Sequence, residues 1–511
     1  MLKTQPISQI KDNPTGPVQG QNVPTGSSID NDPKKFPYES EKPRLDAYDY
    51  FEKLFYGDHY NAFRLRINDD EWNKAHAMLR YVRVNMAGLI SKVCADMLFS
   101  EPVKLKAPDE GDQEFLEALI RENKLHQQFY ESALSNSYIG DALFKIRIGK
   151  RNPADKKPTV IIEDITPSIY FPKGDDFNVR AVPAEEELAW QFEIGKDKYV
   201  RKEIHKSGKI INEVWKLKGG KMTEQVDLAV LGIEGLKPEE ETKIEESLLV
   251  HIPNWKTGRR RFGISDYFDL DAIFYAINNR MTKIDNVLDK HTDPILFVPE
   301  GVLDEDGNVS REALNMVEFP AGTGEEGKPE YIVWNANLES ALSEVDRLVE
   351  FMFMVSETSP DILGMGKGQS DSGRALKLKI LRTIAKVARK KIYYDYAIQE
   401  LMYRAQKLAK AWNLEVDGVK LTKEPTRPEI TWADGLPIDE LEQVEIENKR
   451  LDAGTQDTAG AIMNIEGLEE EPAKEKAAAI KKERELKMPT QLGKDNPFSK
   501  KTKEDLDPKQ D

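Results

Sequence analysis

The spacing of apolar residues changes along the chain, from a helical period to a period of two and back again. A helical period begins near Arg44, resumes at about Asp70 and lasts until Pro102 stops it. Two more helices are predicted over 111–123 and 126–140. Alternation with a period of two then predicts antiparallel strands over 142–149, 159–172, 188–195, 199–206 and 211–218. Together these patterns predict an α+β region that ends near Pro253.

Two later segments carry apolar stripes whose steps alternate between three and four residues. The first predicted helix runs from Ile264 to Thr292 and the second from Leu338 to about Ser356. The first stripe consists of Tyr267, Leu270, Phe274, Ile277, Met281, Ile284 and Leu288. The second consists of Leu338, Ala341, Val345, Leu348, Met352 and Val355. Such stripes pack helix against helix at small crossing angles. They fit an ordinary bundle, and they also fit a ring in which each subunit contributes two helices.

A stretch rich in glycine follows the second helix, but its spacing matches no common phosphate site. With Gly366 and Lys367 as the pair of a Walker A loop, the positions that require glycine and Ser or Thr hold Asp361 and Gly368. In a dinucleotide-binding loop, Gln369 would occupy the place of the third glycine. The stretch is therefore predicted to join two helices.

The next predicted helix is long and locally basic. It runs from Gly373 to Trp412, about 40 residues or roughly 60 Å. Its basic residues are Arg374, Lys377, Lys379, Arg382, Lys386, Arg389, Lys390, Lys391, Arg404, Lys407 and Lys410. Such a run usually forms a solvated face. In an acidic protein it could also lie against an acidic face of a neighbouring subunit, or near DNA. Acidic helical segments are predicted after about residue 435.

The charge balance narrows the class of protein. The 511 residues carry a formal net charge of −16, which argues against wrapping DNA through clustered Lys and Arg. The single cysteine, Cys94, rules out an internal disulfide and fits the core of a helix. The sequence shows neither an apolar run of membrane-spanning length nor a signal-peptide core, so we expect a soluble, intracellular protein.

Catalytic motifs are missing from the sequence. The six histidines form no His-Glu-x-x-His pair, and no Gly-x-Ser-x-Gly elbow occurs. Acidic pairs such as Asp69-Asp70 and Asp175-Asp176 lie in polar, turn-like contexts, which favour solvated turns over a two-metal site. We therefore predict no catalytic, cofactor-binding or metal-binding residues, and no enzymatic activity.

Several passages, taken in order, resemble one protein family. They are "VNMAGLISKVCADMLFSEPVKL", "SNSYIGDALFKIRIG", "IIEDITPSIYFP", "LLVHIPNWKTGRRRFGISDYFDL", "SPDILGMGKGQSDSGRALKLK" and "LDAGTQDTAGAIMNIEGLEEEPAKEKAAAIKKE". In their order and spacing they resemble the portal proteins of tailed bacteriophages, in the branch typical of long-tailed phages of Gram-positive bacteria. The similarity extends from about residue 45 to residue 485.

The resemblance implies a mainly helical α+β portal fold with a wing, stem, clip and crown around a central channel. The implied parts are a disordered arm (1–43), the wing (44–263), the first stem helix (264–292), the clip (293–337), the second stem helix (338–357), a tunnel loop (358–372), a long helix with a return to the wing (373–429), crown helices (430–490) and a disordered tail (491–511).

The resemblance also implies a function. The chain would form a ring, commonly of twelve subunits, at one capsid vertex, through which double-stranded DNA passes without sequence specificity during packaging and ejection. Implied partners are the terminase large subunit, a head-completion or adaptor protein, and the major capsid and scaffolding proteins, with no membrane partner and no cofactor. The expected location is the virion, and the host cytoplasm during assembly.

The glycine-rich stretch would then line the channel. Its expected residues are Gly364, Met365, Gly366, Lys367, Gly368 and Gln369. Many copies of the loop would crowd around one axis, and glycines keep such a loop small and adaptable. A plain helix–helix linker fits the same residues. Two other functions stay open from the sequence: an enzyme with Lys367 in a divergent phosphate loop, and another capsid or scaffolding component that oligomerises through its helices.

Overall fold

The computed structural model describes most of the chain. The described residues are 34–64, 81–292, 295–297, 330–332, 338–365, 373–433 and 440–487, with short gaps at 109, 153, 156, 175–177, 179–180, 234, 259 and 469. The chain divides into two compact units. The larger unit comprises residues 1–368 and 378–436, and the smaller unit comprises 369–377 and 437–511.

Helices and strands both contribute, which confirms the predicted α+β class. The helices are α1 (Lys42–Tyr56), α2 (His59–Arg64), α3 (Met86–Phe99), α4 (Glu110–Glu122), α5 (Leu125–Ile139), α6 (Asp271–Thr292), α7 (Leu338–Val355), α8 (Gly373–Lys379), α9 (Leu381–Ala411), α10 (Glu440–Asp452), α11 (Thr458–Glu466) and α12 (Glu470–Lys487). The strands are β1 (Lys104–Lys106), β2 (Asp141–Gly149), β3 (Thr159–Ile165), β4 (Tyr170–Lys173), β5 (Glu185–Ile194), β6 (Asp197–Lys206), β7 (Lys209–Lys218), β8 (Lys221–Val226), β9 (Glu239–Glu241), β10 (Leu249–Pro253), β11 (Ile295–Phe297), β12 (Glu330–Ile332), β13 (Glu415–Val416), β14 (Val419–Lys420) and β15 (Glu429–Thr431).

The main core of the larger unit forms between helices and a three-stranded antiparallel sheet in the order β10-β2-β3. Phe129 from α5, Phe144 from β2 and Ile398 from α9 are all fully buried there. Because α9 lies against this sheet through a continuous apolar face, residues far apart in sequence share one core. β1 also pairs with β15, so residues 104–106 and 429–431 of the same unit lie side by side.

A second sheet is an antiparallel meander. It has the order β4-β5-β6-β7-β8, with β9 pairing to β7. Ala189, Val200 and Val214, one from each of three neighbouring strands, are completely buried. Tight turns at Gly195, Gly208 and Gly219-Gly220, all with positive φ, connect the strands.

Two glycines allow the chain to approach itself closely just before α6. Gly140 ends α5 with φ 101°, and its carbonyl accepts a hydrogen bond from the Asn254 amide at 2.8 Å. A Cβ on Gly263 would lie 2.0 Å from the Gly140 carbonyl oxygen. No side chain fits there, so this contact fixes where the segment leading to α6 leaves the core.

The helix predicted from Asp70 to Pro102 is wrong over 81–85; residues 65–80 lie outside the described residues. Residues 81–85 are not helical, and α3 begins only at Met86. The Val84 amide donates to Asn278 Oδ1 at 2.8 Å and the Val82 amide donates to Thr282 Oγ1 at 3.1 Å. These polar side chains of α6 replace the hydrogen bonds that a helix would have supplied internally.

Two predicted helix boundaries also differ from the structure. The helix predicted from Ile264 begins at Asp271, and turns precede it that bury Tyr267 and Leu270. The predicted long helix from Gly373 is interrupted at Ile380, whose φ of −98° and ψ of 9° leave the α-helical region. The side chain of Ile380 is buried at this break in the helix.

The smaller unit contains the helices α10, α11 and α12. Asp457 caps α11 by accepting a hydrogen bond from the Gly460 amide at 2.8 Å. Glu447 of α10 is buried and accepts hydrogen bonds from Arg450 and from Asn464 of α11. The helical pattern predicted from the sequence is therefore present among the described residues of this unit.

Candidate functional site

The predicted stem helices α6 and α7 pack against each other within the larger unit. Phe274 and Ile277 of α6 and Met352 of α7 are buried in one apolar cluster, as their stripes predicted. Arg280 donates to Glu344 at 2.9 Å across the pair. Leu288 is 46% exposed, so the predicted stripe of α6 is not covered over its full length within one chain.

The chain leaves α7 through a short, ordered segment that leads towards the predicted channel loop. Residues 356–359, here called the loop base, include Glu357 in the left-handed region with φ 55°. A 3₁₀-helix follows over Pro360–Leu363, and Ser359 caps it by accepting from the Asp361 amide at 3.3 Å. The loop base therefore turns the chain sharply after the stem helix.

Two of the six predicted loop residues fall in the described part of the chain. Gly364 has φ 68° and its amide donates to the Asp361 carbonyl at 3.1 Å. The Met365 amide donates to the Pro360 carbonyl at 3.1 Å, and the Met365 residue is 57% exposed. The remaining four, Gly366, Lys367, Gly368 and Gln369, lie outside the described residues.

The loop base is clamped onto the first turns of α9. Thr383 Oγ1 donates to the Glu357 carbonyl at 3.0 Å and accepts from the Ser359 amide at 2.8 Å. Arg382 donates to one Glu357 carboxylate oxygen at 2.9 Å, and Arg389 donates to the other. Four contacts thus hold the chain immediately before the predicted loop.

A buried ion cluster lies under this clamp. We call Asp266, Lys386, Lys390 and Asn254 the anchor cluster. Asp266 Oδ2 lies 2.9 Å from Lys390 Nζ and 3.5 Å from Lys386 Nζ, and Asp266 Oδ1 accepts from Asn254 Nδ2 at 2.9 Å. All three charged side chains are less than a tenth exposed. Ser137 Oγ donates to the same carboxylate at 2.7 Å.

The electrostatics of the anchor cluster favour its charged forms. Burial alone would raise the pKa of Asp266, but Lys386 and Lys390, together with hydrogen bonds from Lys390 and Asn254, hold that pKa well below its ordinary value. Burial opposes the charge of Lys386 as well, yet the Asp266 carboxylate outweighs it and raises the pKa of Lys386. Asp266 and Lys386 are therefore charged at neutral pH.

The anchor cluster joins the beginning of α6 to the end of α7. Asp266 precedes α6, whereas Lys386 Nζ also donates to the Ser356 carbonyl, at 2.9 Å, just after α7. That carbonyl belongs to the last turn of a helix, where the helix dipole favours a cation. One lysine of α9 therefore contacts both the segment that leads into α6 and the end of α7.

Sequence reasoning missed the anchor cluster and the Glu357 clamp. Lys386 and Lys390 are spaced by four residues on the face of α9 that also buries Thr383, Tyr394 and Ala397. That spacing marks them as buried, whereas the basic run was interpreted as solvated or as facing DNA or a neighbouring subunit. No local signal identifies Asp266 as their partner, because it lies more than a hundred positions away.

An open groove adjoins the loop base. Its volume is about 850 Å³. The wall formed by α7 contributes Val349, Glu350, Phe353 and Met354, and the opposite wall includes Pro360, Asp361, Met365, Lys379 and Arg382. The walls of the groove therefore combine apolar side chains with charged groups of both signs.

The described residues offer no metal centre. No group of three or more His, Cys, Asp or Glu among them could hold an ion. Within the same ranges, no helix is both long and apolar enough to cross a bilayer. The one cysteine is buried in α3, and burial raises the pKa of its thiol.

Comparison with known proteins identifies the class to which this arrangement belongs. The profile of the phage portal proteins, SPP1 Gp6-like, matches residues 35–489. The chain therefore belongs to the SPP1 Gp6-like family of phage portal proteins, as its sequence resemblance predicted. This family is structural rather than enzymatic, which supports the prediction that the chain is not an enzyme.

One solved structure with a detectable likeness is titled "Neck of native GTA particle computed with C12 symmetry". The chain is 11% identical to it, with a TM-score of 0.38, over 74% of this chain and 89% of that one. No curated protein matches the chain. Family membership makes the protein a component of the phage particle with a portal role.

Proposed function

We propose that twelve copies of the chain form a ring at one vertex of the capsid, and that this ring is the channel for genome packaging and ejection. Within it, residues 44–263 form the wing, 264–292 and 338–357 the stem, 293–337 the clip, 358–372 the tunnel loop, 373–429 the long helix with its return to the wing, and 430–490 the crown. The disordered arm predicted over 1–43 is wrong for residues 34–43, because Phe36 is buried, its amide donates to the Gly220 carbonyl at 2.9 Å, and α1 begins at Lys42. The rest of that arm and the tail predicted over 491–511 lie outside the described residues.

The observation that carries this proposal is the course of the chain from α7 into α9. A helix pair, α6 and α7, leads into the loop base, and Glu357 fixes that base on α9 through Arg382 and Arg389. Gly364 follows the 3₁₀-helix Pro360–Leu363 and has a left-handed backbone. The loop base is held on α9, and glycines are frequent in the residues that follow it. Such a loop could contact moving DNA while its base stays fixed on its own subunit.

In this proposal Gly364, Met365, Gly366, Lys367, Gly368 and Gln369 line the narrow part of the channel. The acidic charge of the chain is proposed to keep DNA mobile, because each attractive phosphate contact would have to be broken at every step of translocation. The clip would bind the terminase large subunit during packaging and a head-completion or adaptor protein afterwards. The wing and crown would contact capsid and scaffolding proteins.

Electron microscopy of the purified chain tests the ring. We expect top views with a central hole and, by mass photometry, a particle of about twelve times the 58.2 kDa chain mass. A chain that stays monomeric at high concentration, or that forms filaments, contradicts the proposal. Adding ATP distinguishes the enzymatic alternative, since hydrolysis that disappears on Lys367→Ala would indicate a phosphate loop instead of a channel loop.

A further inference from the structure

The long helix α9 has an apolar stripe on the side away from the core. Leu381, Ile392 and Tyr396 are 56%, 69% and 66% exposed, and Ala385 and Ala388 between them are also exposed. We call these five residues the outer stripe. Their steps of four, three, four and four residues place them on one line along four turns, about 22 Å long. The opposite side of α9 lies in the main core, so this helix is apolar on two sides.

A second exposed surface lies at the outer side of α7. Phe351, Met354 and Val355 are 48%, 70% and 45% exposed at the end of this helix. Four acids, Glu339, Glu344, Asp346 and Glu350, are exposed along the same helix, with Arg347 as the one exposed base. Glu344 binds Arg280 and Glu350 lies 3.9 Å from Arg347, so the helix keeps a net negative charge. We call the exposed side chains of α7 the acidic face.

The two surfaces carry opposite charges, and both expose apolar side chains. Arg382 and Arg389 flank the outer stripe, and their side chains are 76% and 50% exposed although both bind Glu357. Pairing two outer stripes would bring these arginines together, and pairing two acidic faces would bring carboxylates together. Only unlike pairing, outer stripe on acidic face, brings opposite charges together.

Unlike pairing has a geometric consequence. An interface between two different surfaces of the same chain is heterologous, so it repeats head to tail and closes into a ring when the rotation permits. Surfaces that pair with themselves give a dimer with two-fold symmetry and stop there. The chain carries both halves of such a repeating contact on elements that its own core leaves exposed.

We propose that the outer stripe of α9 in one copy packs on the acidic face of α7 in a second copy of this chain. This inference rests on the ring of the proposed function and specifies the side chains that join its subunits. Ala385 and Ala388 allow the neighbouring helix to approach closely, and Phe351 and Met354 of that helix cover the apolar stripe. Arg382 and Arg389 then face the carboxylates of the adjacent copy.

Disulfide cross-linking tests the pairing directly, because Cys94 is the one native cysteine and is completely buried. Met354→Cys and Ile392→Cys are made singly and together, and the full-length proteins are oxidised and compared on non-reducing gels. We expect a ladder of dimers and larger species from the double variant alone. Dimers from Ile392→Cys by itself would reveal like pairing and overturn the inference.

A second variant tests the same surface without cross-linking. Ala388→Arg places a bulky cation in the middle of the outer stripe, and we expect at least a tenfold loss of rings at fixed concentration, with unchanged circular dichroism. Ala229→Arg, at an exposed position on the wing side of the larger unit, is the matched control and should leave assembly unchanged.

The outcomes separate this inference from the ring itself. If the wild-type chain forms rings that Ala388→Arg does not weaken, the outer stripe is not the contact, and the proposed function still stands. If the double-cysteine protein forms rings but yields only monomers on oxidation, the pairing with α7 is wrong. If the wild-type chain forms no ring, the proposed function fails, and the inference fails with it.

Discussion

Lys390 Nζ lies 2.9 Å from Asp266 Oδ2, and both side chains are only 3% exposed. Lys386 lies 3.5 Å from the same oxygen, so two buried ammonium groups share one carboxylate. The Ser356 carbonyl and the Asn254 side chain accept the remaining hydrogen bonds. Removing Asp266 would leave two buried ammonium groups without a counter-charge.

The first prediction concerns Asp266→Asn. We expect the free energy of unfolding to fall by about 3–5 kcal/mol, because two lysines would stay buried without a counter-charge. Urea denaturation at neutral pH and constant protein concentration measures this change. Asp49→Asn, which breaks an exposed pair with Lys53 on α1, is the control and should cost about 0.5 kcal/mol or less. Equal losses in the two variants would show that Asp266 is not a structural anchor.

The second prediction concerns pH and Asp164 of β3. Burial, followed by the charge of Glu131, raises the pKa of Asp164 to about 7. The folded state therefore holds this proton more tightly than the unfolded state, whose pKa is near 3.8. The stability that results is complete below about pH 4 and is lost as the pH rises through 7. We expect Asp164→Asn to gain stability relative to the wild type between pH 4 and pH 8.

Glu163, the residue before Asp164, provides a control whose contribution to stability should change with pH in the opposite direction. Hydrogen bonds from Arg147 lower the pKa of Glu163, with the charge of Arg147 acting in the same direction. Its stabilisation is present above the unfolded pKa and is lost as the pH falls. Glu163→Gln should therefore lose stability relative to the wild type as the pH rises, which is the reverse of Asp164→Asn. Denaturation curves for both variants at pH 4, 6 and 8 check the two signs, and parallel changes would contradict the assignment.

Much of the fold follows from local pattern. The hairpins from β5 to β7 could be predicted because apolar and polar residues alternate over part of each strand and Gly195 and Gly208 mark the turns, whereas β8 was not predicted. The packing of α6 on α7 could be predicted because each helix carries one apolar stripe. In both cases the information lies within one turn or one hairpin of the residue concerned.

The features that local pattern could not predict depend on distant partners. Residues 81–85 have helical spacing, but Asn278 and Thr282, almost two hundred positions later, supply acceptors for their amides. Lys386 and Lys390 share the buried face of α9, but no local pattern identifies Asp266 as their counter-charge. The same limit applies to the predicted channel loop, since its composition predicts an adaptable loop but does not predict that Glu357 holds the loop base.

The third prediction tests whether the backbone of residues 81–85 depends on Asn278 of α6. Its Oδ1 accepts from the Val84 amide at 2.8 Å and its Nδ2 donates to the Phe274 carbonyl at 2.8 Å. Asn278→Leu would leave the Val84 amide without its acceptor, so we expect a loss of about 1–3 kcal/mol in the free energy of unfolding.

Asn279 is the matched control for this substitution. It is half-buried on the same helix, and no side-chain hydrogen bond involves it among the described residues. Asn279→Leu should therefore change the free energy of unfolding by about 0.5 kcal/mol or less. If the two leucine variants are equally stable in thermal and urea denaturation, the amides of residues 81–85 do not depend on α6.

The last prediction concerns Gly364, whose φ of 68° lies in the left-handed region. An added Cβ would meet no atom within 4 Å, so any effect of substitution comes from the backbone and not from crowding. Valine costs about 1–2 kcal/mol in this conformation, and asparagine adopts it more readily. We expect Gly364→Val to open the turn locally and to speed exchange of the Met365 amide roughly 5- to 30-fold, the equivalent of that energy.

Hydrogen–deuterium exchange measures this directly, with Gly364→Asn as the control that keeps the turn closed. Equal protection in both variants would mean that the turn before the predicted channel loop does not require a left-handed residue, and an adaptable glycine there would lose its physical justification.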